Sequence, residues 1–254
     1  MIKIKRISKP DELTEQVRKD LTEEFKADNK KAVWNKPYIR KRLLEMSHGK
    51  CCYCECYVGP GKKEMHIDHF KPKKLYPDLV VEWDNLLPSC PHCNKNKSDH
   101  DTLKEPIINP SIDDPKKYLY LKLYRYRSKE PGIDSIGKRT IDILNLNDSD
   151  ENVIERYKIG EEIQKKLQET YDDAQELGEQ LKSSIRKRNR VVATCRDILK
   201  KGLETAEYSA FMATIIHDDS NYIRLKELLE EYGIWSEELQ KLHTESLVNK
   251  YDTE

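Results

Sequence analysis

Residues 51–54 read CCYC, residues 65–70 read MHIDHF and residues 82–99 read EWDNLLPSCPHCNKNKSD. Two Cys-x-x-Cys pairs, Cys51 with Cys54 and Cys90 with Cys93, bracket a His-Ile-Asp-His core, and Asn94 follows the last cysteine directly. Four thiolates at this spacing suit a closed tetrahedral Zn²⁺ site with no open position, so the zinc is expected to be structural. Metal binding worth on the order of 10 kcal/mol would pin both ends of the segment between the pairs, which is too small for a core of its own. Cys52 and Cys56 are rival ligands, expected instead to be ordinary small apolar side chains. His92 sits inside the second pair, where four sulfurs already satisfy the ion. Cys195 lies far off in a helical stretch and reads as a buried structural thiol.

The residues inside the bracket suit phosphodiester cleavage. That reaction needs a base to activate water, a cation on the leaving oxygen and groups that hold both. On a bent segment Asp68 and His69 point apart, so His69 can face a water while Asp68 holds a metal. Mg²⁺ or Mn²⁺ takes oxygen ligands and keeps waters, so the Asp68 carboxylate and the Asn94 amide suffice as ligands. Asn85 is placed to orient His69 by a hydrogen bond across a strand pair. Lys97, one helical turn after Asn94, is expected to touch the scissile phosphate. Lys71, Lys73 and Lys74 are expected to contact nucleic-acid phosphates. His66 is either a further polar group of the site or a solvent-facing strand residue, and His100 reads as surface.

Charged residues make up 36% of the 254-residue chain and hydrophobic residues 37%, with zero formal net charge. Apolar residues recur throughout, which excludes wholesale disorder. Zero net charge argues against a free-standing high-affinity nucleic-acid binder, although the lysines beside the His-Ile-Asp-His core make a local basic face. No apolar run reaches the ~18 residues of a membrane span, and the start MIKIKRISKPDEL lacks an apolar signal region. A cytoplasmic protein is expected. Six of the seven cysteines cluster between Cys51 and Cys93, which in a reducing compartment favours metal over disulfides.

Hydrophobic periodicity predicts helices over 11–29 and 36–46, short strands over 64–67 and 85–88, and a helix near Cys93, which is the ββα-metal layout. The alternating YLYLKLYRYR of 118–127 predicts a strand or hairpin arm, and 137–146 a short helix. A long-helical pattern runs from about 151 to 200, with further helices over 204–216, 222–232 and 236–249. The expected fold is mainly α with a small α+β insert. It divides into an N-terminal helical segment (1–48), a zinc-stapled nuclease core (49–105), a connector (106–150) and a helical partner-docking region (151–254).

These residues resemble the HNH endonuclease family. Asp68-His69 matches the family's metal-binding acid and general base, Asn85 its central Asn, and Asn94 stands where many members carry a final His. The resemblance implies hydrolysis that leaves a 5′-phosphate and a 3′-hydroxyl. The lead into GKCCYCE (49–55), INPSIDDP (108–115) and TIDILNLND (140–148) are similar to the PtuB-type nucleases of Septu antiphage systems, a type that also accompanies some retrons. That likeness implies an effector working beside an ABC-type ATPase (PtuA-like), with a retron reverse transcriptase and its nucleic acid as a further partner, and DNA favoured over RNA as target. The competing expectation is a zinc-stabilised nucleic-acid-binding or ATPase-docking module without catalysis.

Overall fold

The structure, a computed structural model, describes residues 1–253. The chain forms two compact units. One comprises Met1–Leu119 with Tyr126–Asn147, and the other Tyr120–Arg125 with the chain from Asp148 onward.

The first unit opens with α1 (Glu15–Ala27), capped by Thr14 Oγ1 accepting from the Val17 N–H. In α2 (Pro37–Ser47) the proline occupies the first turn, where its missing N–H costs nothing. His48 at φ 54° and Gly49 at φ 68° end that helix and turn the chain into Cys51. β1 (His66–His69) and β2 (Leu86–Ser89) then pair antiparallel, with His66 opposite Ser89 and His69 opposite Leu86. β1 starts two residues later than the sequence pattern suggests. Val58 and Lys63 close a bridge of their own, and Glu64 and Met65 are used leaving it. α3 (Pro91–Lys97) follows β2 at once, with Cys90 as its N-cap.

Arg6 fixes the approach to β2. Its guanidinium donates to the carbonyls of Trp83 (2.8 Å), Leu86 (2.9 Å) and Asp84 (2.9 Å), and the Trp83 indole N–H donates to the Ile7 carbonyl at 2.9 Å. Leu13, Ile39, Leu43, Met65, Val80, Val81 and Leu87 are buried around this strand pair. The predicted hairpin is present as β3 (Leu119–Lys122) and β4 (Arg125–Ser128), followed by α4 (Ile136–Ile143). The expected architecture therefore stands: a small strand pair with its helix, inside a largely helical chain.

The second unit is helical: α5 (Ile154–Leu177), α6 (Gln180–Ser183), α7 (Ile185–Lys200), α8 (Ser209–Asp218), α9 (Ser220–Glu231) and α10 (Glu237–Leu247). The helical pattern of 151–200 is not one helix. Gly178 takes φ 46°, where a side chain would be strained, and Ser184 is extended, so the run breaks twice. Ile163, Leu167, Ala174, Val191, Leu199, Phe211, Leu225, Leu229 and Leu239 form the core.

A histidine cluster lies within this unit. His217 Nε2 is 2.7 Å from Ser246 Oγ, the Tyr222 hydroxyl is 2.6 Å from His243 Nδ1, and the two imidazoles are 4.9 Å apart. Burial pushes His217 down to about 4, and His243 and Lys250 add to that. The unfolded chain takes up this proton near pH 6.5. Below that pH the unfolded state therefore binds more protons than the folded one, and stability falls as pH drops from 6.5 towards 4. Thermal unfolding across that window should show a falling midpoint, and His217→Gln should flatten the decline.

Candidate active site

The Sγ atoms of Cys51, Cys54, Cys90 and Cys93 all lie within 4.8 Å of one another and all four residues are buried. A tetrahedral ion with Zn–S bonds of about 2.3 Å spaces its sulfurs by about 3.8 Å; Cys54 and Cys90 stand 3.7 Å apart. Against burial, hydrogen bonds among the sulfurs bring the Cys51 and Cys90 thiols below their ordinary range; they push those of Cys54 and Cys93 above it. The donor set fits a zinc ion. Cys56 Sγ is 3.4 Å from Cys54 Sγ and also hydrogen-bonds with Cys51 and Cys90, and burial raises the Cys52 thiol well above its ordinary range. His92 faces away, with Nε2 3.3 Å from the Asn145 carbonyl.

Both cysteine pairs brace the strands. The Cys52 N–H donates to the Pro88 carbonyl on β2 at 2.9 Å, and the Cys93 N–H donates to Cys90 Sγ at 3.4 Å, which starts α3. Tyr53, inside the first pair, donates its hydroxyl to Asp68 Oδ2 at 2.6 Å. The sulfur cluster is thus one residue away from a direct hold on Asp68.

On β1, alternation puts His66 and Asp68 on one face. On α3, Asn94 and Lys97 share a face one turn apart. The two faces meet: Asn94 Nδ2 is 3.3 Å from His66 Nδ1, and Lys97 Nζ donates to Asp68 Oδ1 at 3.0 Å. Lys97 also donates to the His69 carbonyl at 2.7 Å. Its residue is only 1% exposed, so it reaches no phosphate; the expected scissile-phosphate contact is corrected to a buried ion pair. Helix α3 packs its 97 position onto the strand, which turns the long side chain inward.

The Asn85 side chain is hydrogen-bonded to the loop and not to His69. The Asn85 amide donates to the Lys71 carbonyl at 3.0 Å and the Leu79 carbonyl at 3.2 Å, and its Oδ1 accepts from the Lys71 N–H at 2.8 Å. Asn85 therefore clamps the 70–80 loop, and the expected hydrogen bond to His69 across the ladder is not made. The loop does the orienting: its Val80 carbonyl is 2.9 Å from His69 Nε2. A carbonyl only accepts, so Nε2 carries the proton and the lone pair lies on Nδ1. Burial, against the Val80 hydrogen bond, pushes His69 down to about 4, which keeps the imidazole neutral at pH 7. The Trp34 indole meets the ring edge-on, with centroids 4.9 Å apart, and Lys73 Nζ lies 4.8 Å above the indole.

A cavity of about 480 Å³ is lined by His66, Asp68, His69 and Asn94 together with Trp34, Asn35, Arg40, Lys73 and Lys95. Every residue from Glu64 to His69 lines it, so it runs along the edge of β1 that has no strand partner. Asp68 accepts one hydrogen bond on each oxygen and so keeps lone pairs free; with the Asn94 carbonyl it forms an oxygen donor set that fits a hard divalent ion. Lys71 and Lys74 do not line the cavity: the Lys71 backbone is held by Asn85, and Lys74 Nζ lies 3.6 Å from Asp99. Of Trp34, Asn35, Arg40, Tyr53 and Val80, four carry no motif signal. Only Tyr53, inside CCYC, carried a local hint.

Residues 51–100 match the family model described as HNH endonuclease. The chain is 40% identical over 242 residues to the Septu protein PtuB of Bacillus thuringiensis, covering 95% of this chain and 92% of that relative. The chain belongs to the Septu PtuB family. It is also 29% identical over 161 residues to the Septu protein PtuB of Bacillus mycoides (strain KBAB4), covering 51% of this chain and 54% of the relative. No solved structure matches. As members of the HNH endonuclease family, proteins of this kind are nucleases that hydrolyse phosphodiester bonds.

Two stability outcomes follow from this geometry in the PtuB family member. Lys97→Met leaves the buried Asp68 carboxylate without its counter-charge and should cost about 3 kcal/mol in chemical denaturation, whereas a surface phosphate contact would cost nothing. Cys90→Ala should remove both a metal ligand and the α3 cap, lowering zinc content by metal analysis and collapsing the melting temperature.

Proposed function

We propose that this chain is the metal-dependent HNH endonuclease of an antiphage defence complex, with His69 as general base. The observation that carries the proposal is the shared cavity: a neutral imidazole with Nδ1 free, a braced carboxylate and a carboxamide line one space. His69 Nδ1 takes the proton of a water, and the resulting hydroxide attacks phosphorus. Asp68 and Asn94 would hold Mg²⁺ or Mn²⁺, which supplies positive charge for the departing 3′-oxygen. Asn85 acts at a distance by holding the loop whose Val80 carbonyl orients the imidazole. Cys51, Cys54, Cys90 and Cys93 hold a structural Zn²⁺. Nucleic acid is the substrate, DNA before RNA, and the kinship with Septu proteins supports the defence role.

The same kinship supports an ABC-type ATPase of the PtuA kind as partner, docked on the helices of 151–254, in the cytoplasm; a retron reverse transcriptase is a further candidate partner. No helix among the described residues is long and apolar enough to cross a membrane.

The test incubates purified protein, with and without its neighbouring ATPase, on plasmid, single-stranded DNA and tRNA with Mg²⁺ or EDTA. His69→Ala should lower cleavage at least about a hundredfold while zinc stays bound, and EDTA should abolish it. Cutting by His69→Ala at the parental rate would remove His69 from the reaction. In the same assay Trp34→Ala should lower kcat and Trp34→Phe, which keeps an aromatic ring against the imidazole, should restore most of it.

A further inference from the structure

The charges around the cavity are not balanced among themselves. Three carboxylates line it, and each already faces a partner. Asp68 is paired with buried Lys97 at 3.0 Å, Asp99 lies 3.6 Å from Lys74, and Glu64 lies 3.7 Å from His66 Nε2. Three cations line it too, and none faces a carboxylate among the described residues. Arg40 donates to the neutral Asn35 Oδ1 at 3.1 Å. Lys73 lies over the Trp34 indole, 4.8 Å from its centroid. Lys95 stands exposed in the last turn of α3. Elsewhere in the chain, lysines and arginines commonly meet a carboxylate within 4 Å, as Lys26, Lys31, Arg42 and Lys138 do. Here the pattern is reversed, and it is reversed on a chain whose net charge is zero.

The three cations also come from three separate places. Arg40 is on α2, outside residues 51–100; Lys73 is on the loop after β1; Lys95 is on α3. They surround the unpartnered edge of β1, where Asp68 and His69 sit. Arg40 and Lys73 are half-buried, so their positions are held by packing and not merely by the solvent.

We propose that Arg40, Lys73 and Lys95 form a phosphate track that grips the nucleic-acid backbone on both sides of the bond to be cut. The proposal rests on the reading of Asp68 and His69 as the reacting pair. Unmatched cations beside a cleavage site favour successive backbone anions, and the contact is to phosphates and not to base edges, so it positions the strand without selecting sequence. α2 is thereby part of the substrate site, although no motif marks it.

The test measures binding apart from cutting. Full-length protein carrying His69→Ala is titrated against a short labelled duplex and against its single strand, over a range of KCl, by fluorescence anisotropy. Adding Arg40→Gln, Lys73→Gln or Lys95→Gln should each weaken binding about tenfold and reduce the slope of log affinity against log salt by about 0.9 on duplex or about 0.7 on single strand. Arg40→Lys, which keeps the charge, should keep the slope. Lys19→Gln, on the exposed side of α1, should change neither. Unchanged affinity and slope in the Arg40 and Lys95 variants would overturn the track. So would an equal loss from Lys19→Gln, or no binding by the parent even at low salt. If the variants lose binding as expected but His69→Ala still cuts, the track stands and the assignment of the base falls.

Discussion

Four buried sulfurs drawn to one point hold the nuclease unit in register. The strand pair is only four residues long on each side and has no third strand to stabilise it, and a two-stranded pair alone is marginal in water. The cysteine pairs supply what the ladder lacks. One hydrogen-bonds to β2 through Cys52; the other begins α3 with the sulfur of Cys90. Because Tyr53 belongs to the first pair and holds Asp68, the sulfur cluster and the Asp68 carboxylate are mechanically one object. The segment that carries two of the four sulfurs thereby also places an acid.

The electrostatics follow from that placement. Asp68 is buried, and a buried carboxylate persists only with partners; the Tyr53 hydroxyl and the Lys97 ammonium provide them. The imidazole next door is handled in the opposite way. It is stripped of water, kept neutral and fixed in one tautomer by a backbone carbonyl. Two adjacent residues thus meet opposite surroundings: donors hold the carboxylate, and a carbonyl holds the imidazole. The unmatched cations around the cavity complete a site with a permanent appetite for anions, on a chain that has no overall charge to attract them.

Much of this was legible in the residues. Cysteine spacing gave the ion site because ligand geometry is local to each pair. The strand–loop–strand–helix order followed from short apolar runs punctuated by glycine and proline. Asp68, His69 and Asn94 fall in one cavity because the cysteines fix the distance between their elements. What could not be read were contacts set by tertiary packing. Lys97 looks like a surface lysine one turn after Asn94, and only the approach of α3 to β1 turns it inward. Asn85 looks like a partner for His69, yet the long loop it clamps intervenes. Trp34 and Arg40 lie outside the motif, and nothing in their neighbours marks them. The helical stretch of 151–200 kept its period through Gly178, so periodicity alone did not reveal the break.

The second unit closes on a contact between distant parts of the chain. The Leu121 N–H donates to the Asp252 carbonyl at 3.0 Å, and Leu121 bridges Thr253 in parallel. Pairings of such long sequence separation form late, after shorter loops have closed. On the ribosome, residues 1–147, which contain the whole first unit, emerge while Asp252 is still unsynthesised, and chains fold from the N-terminal side as they appear. Each newly made molecule therefore passes through an interval in which its first unit can close while its helical unit is still open.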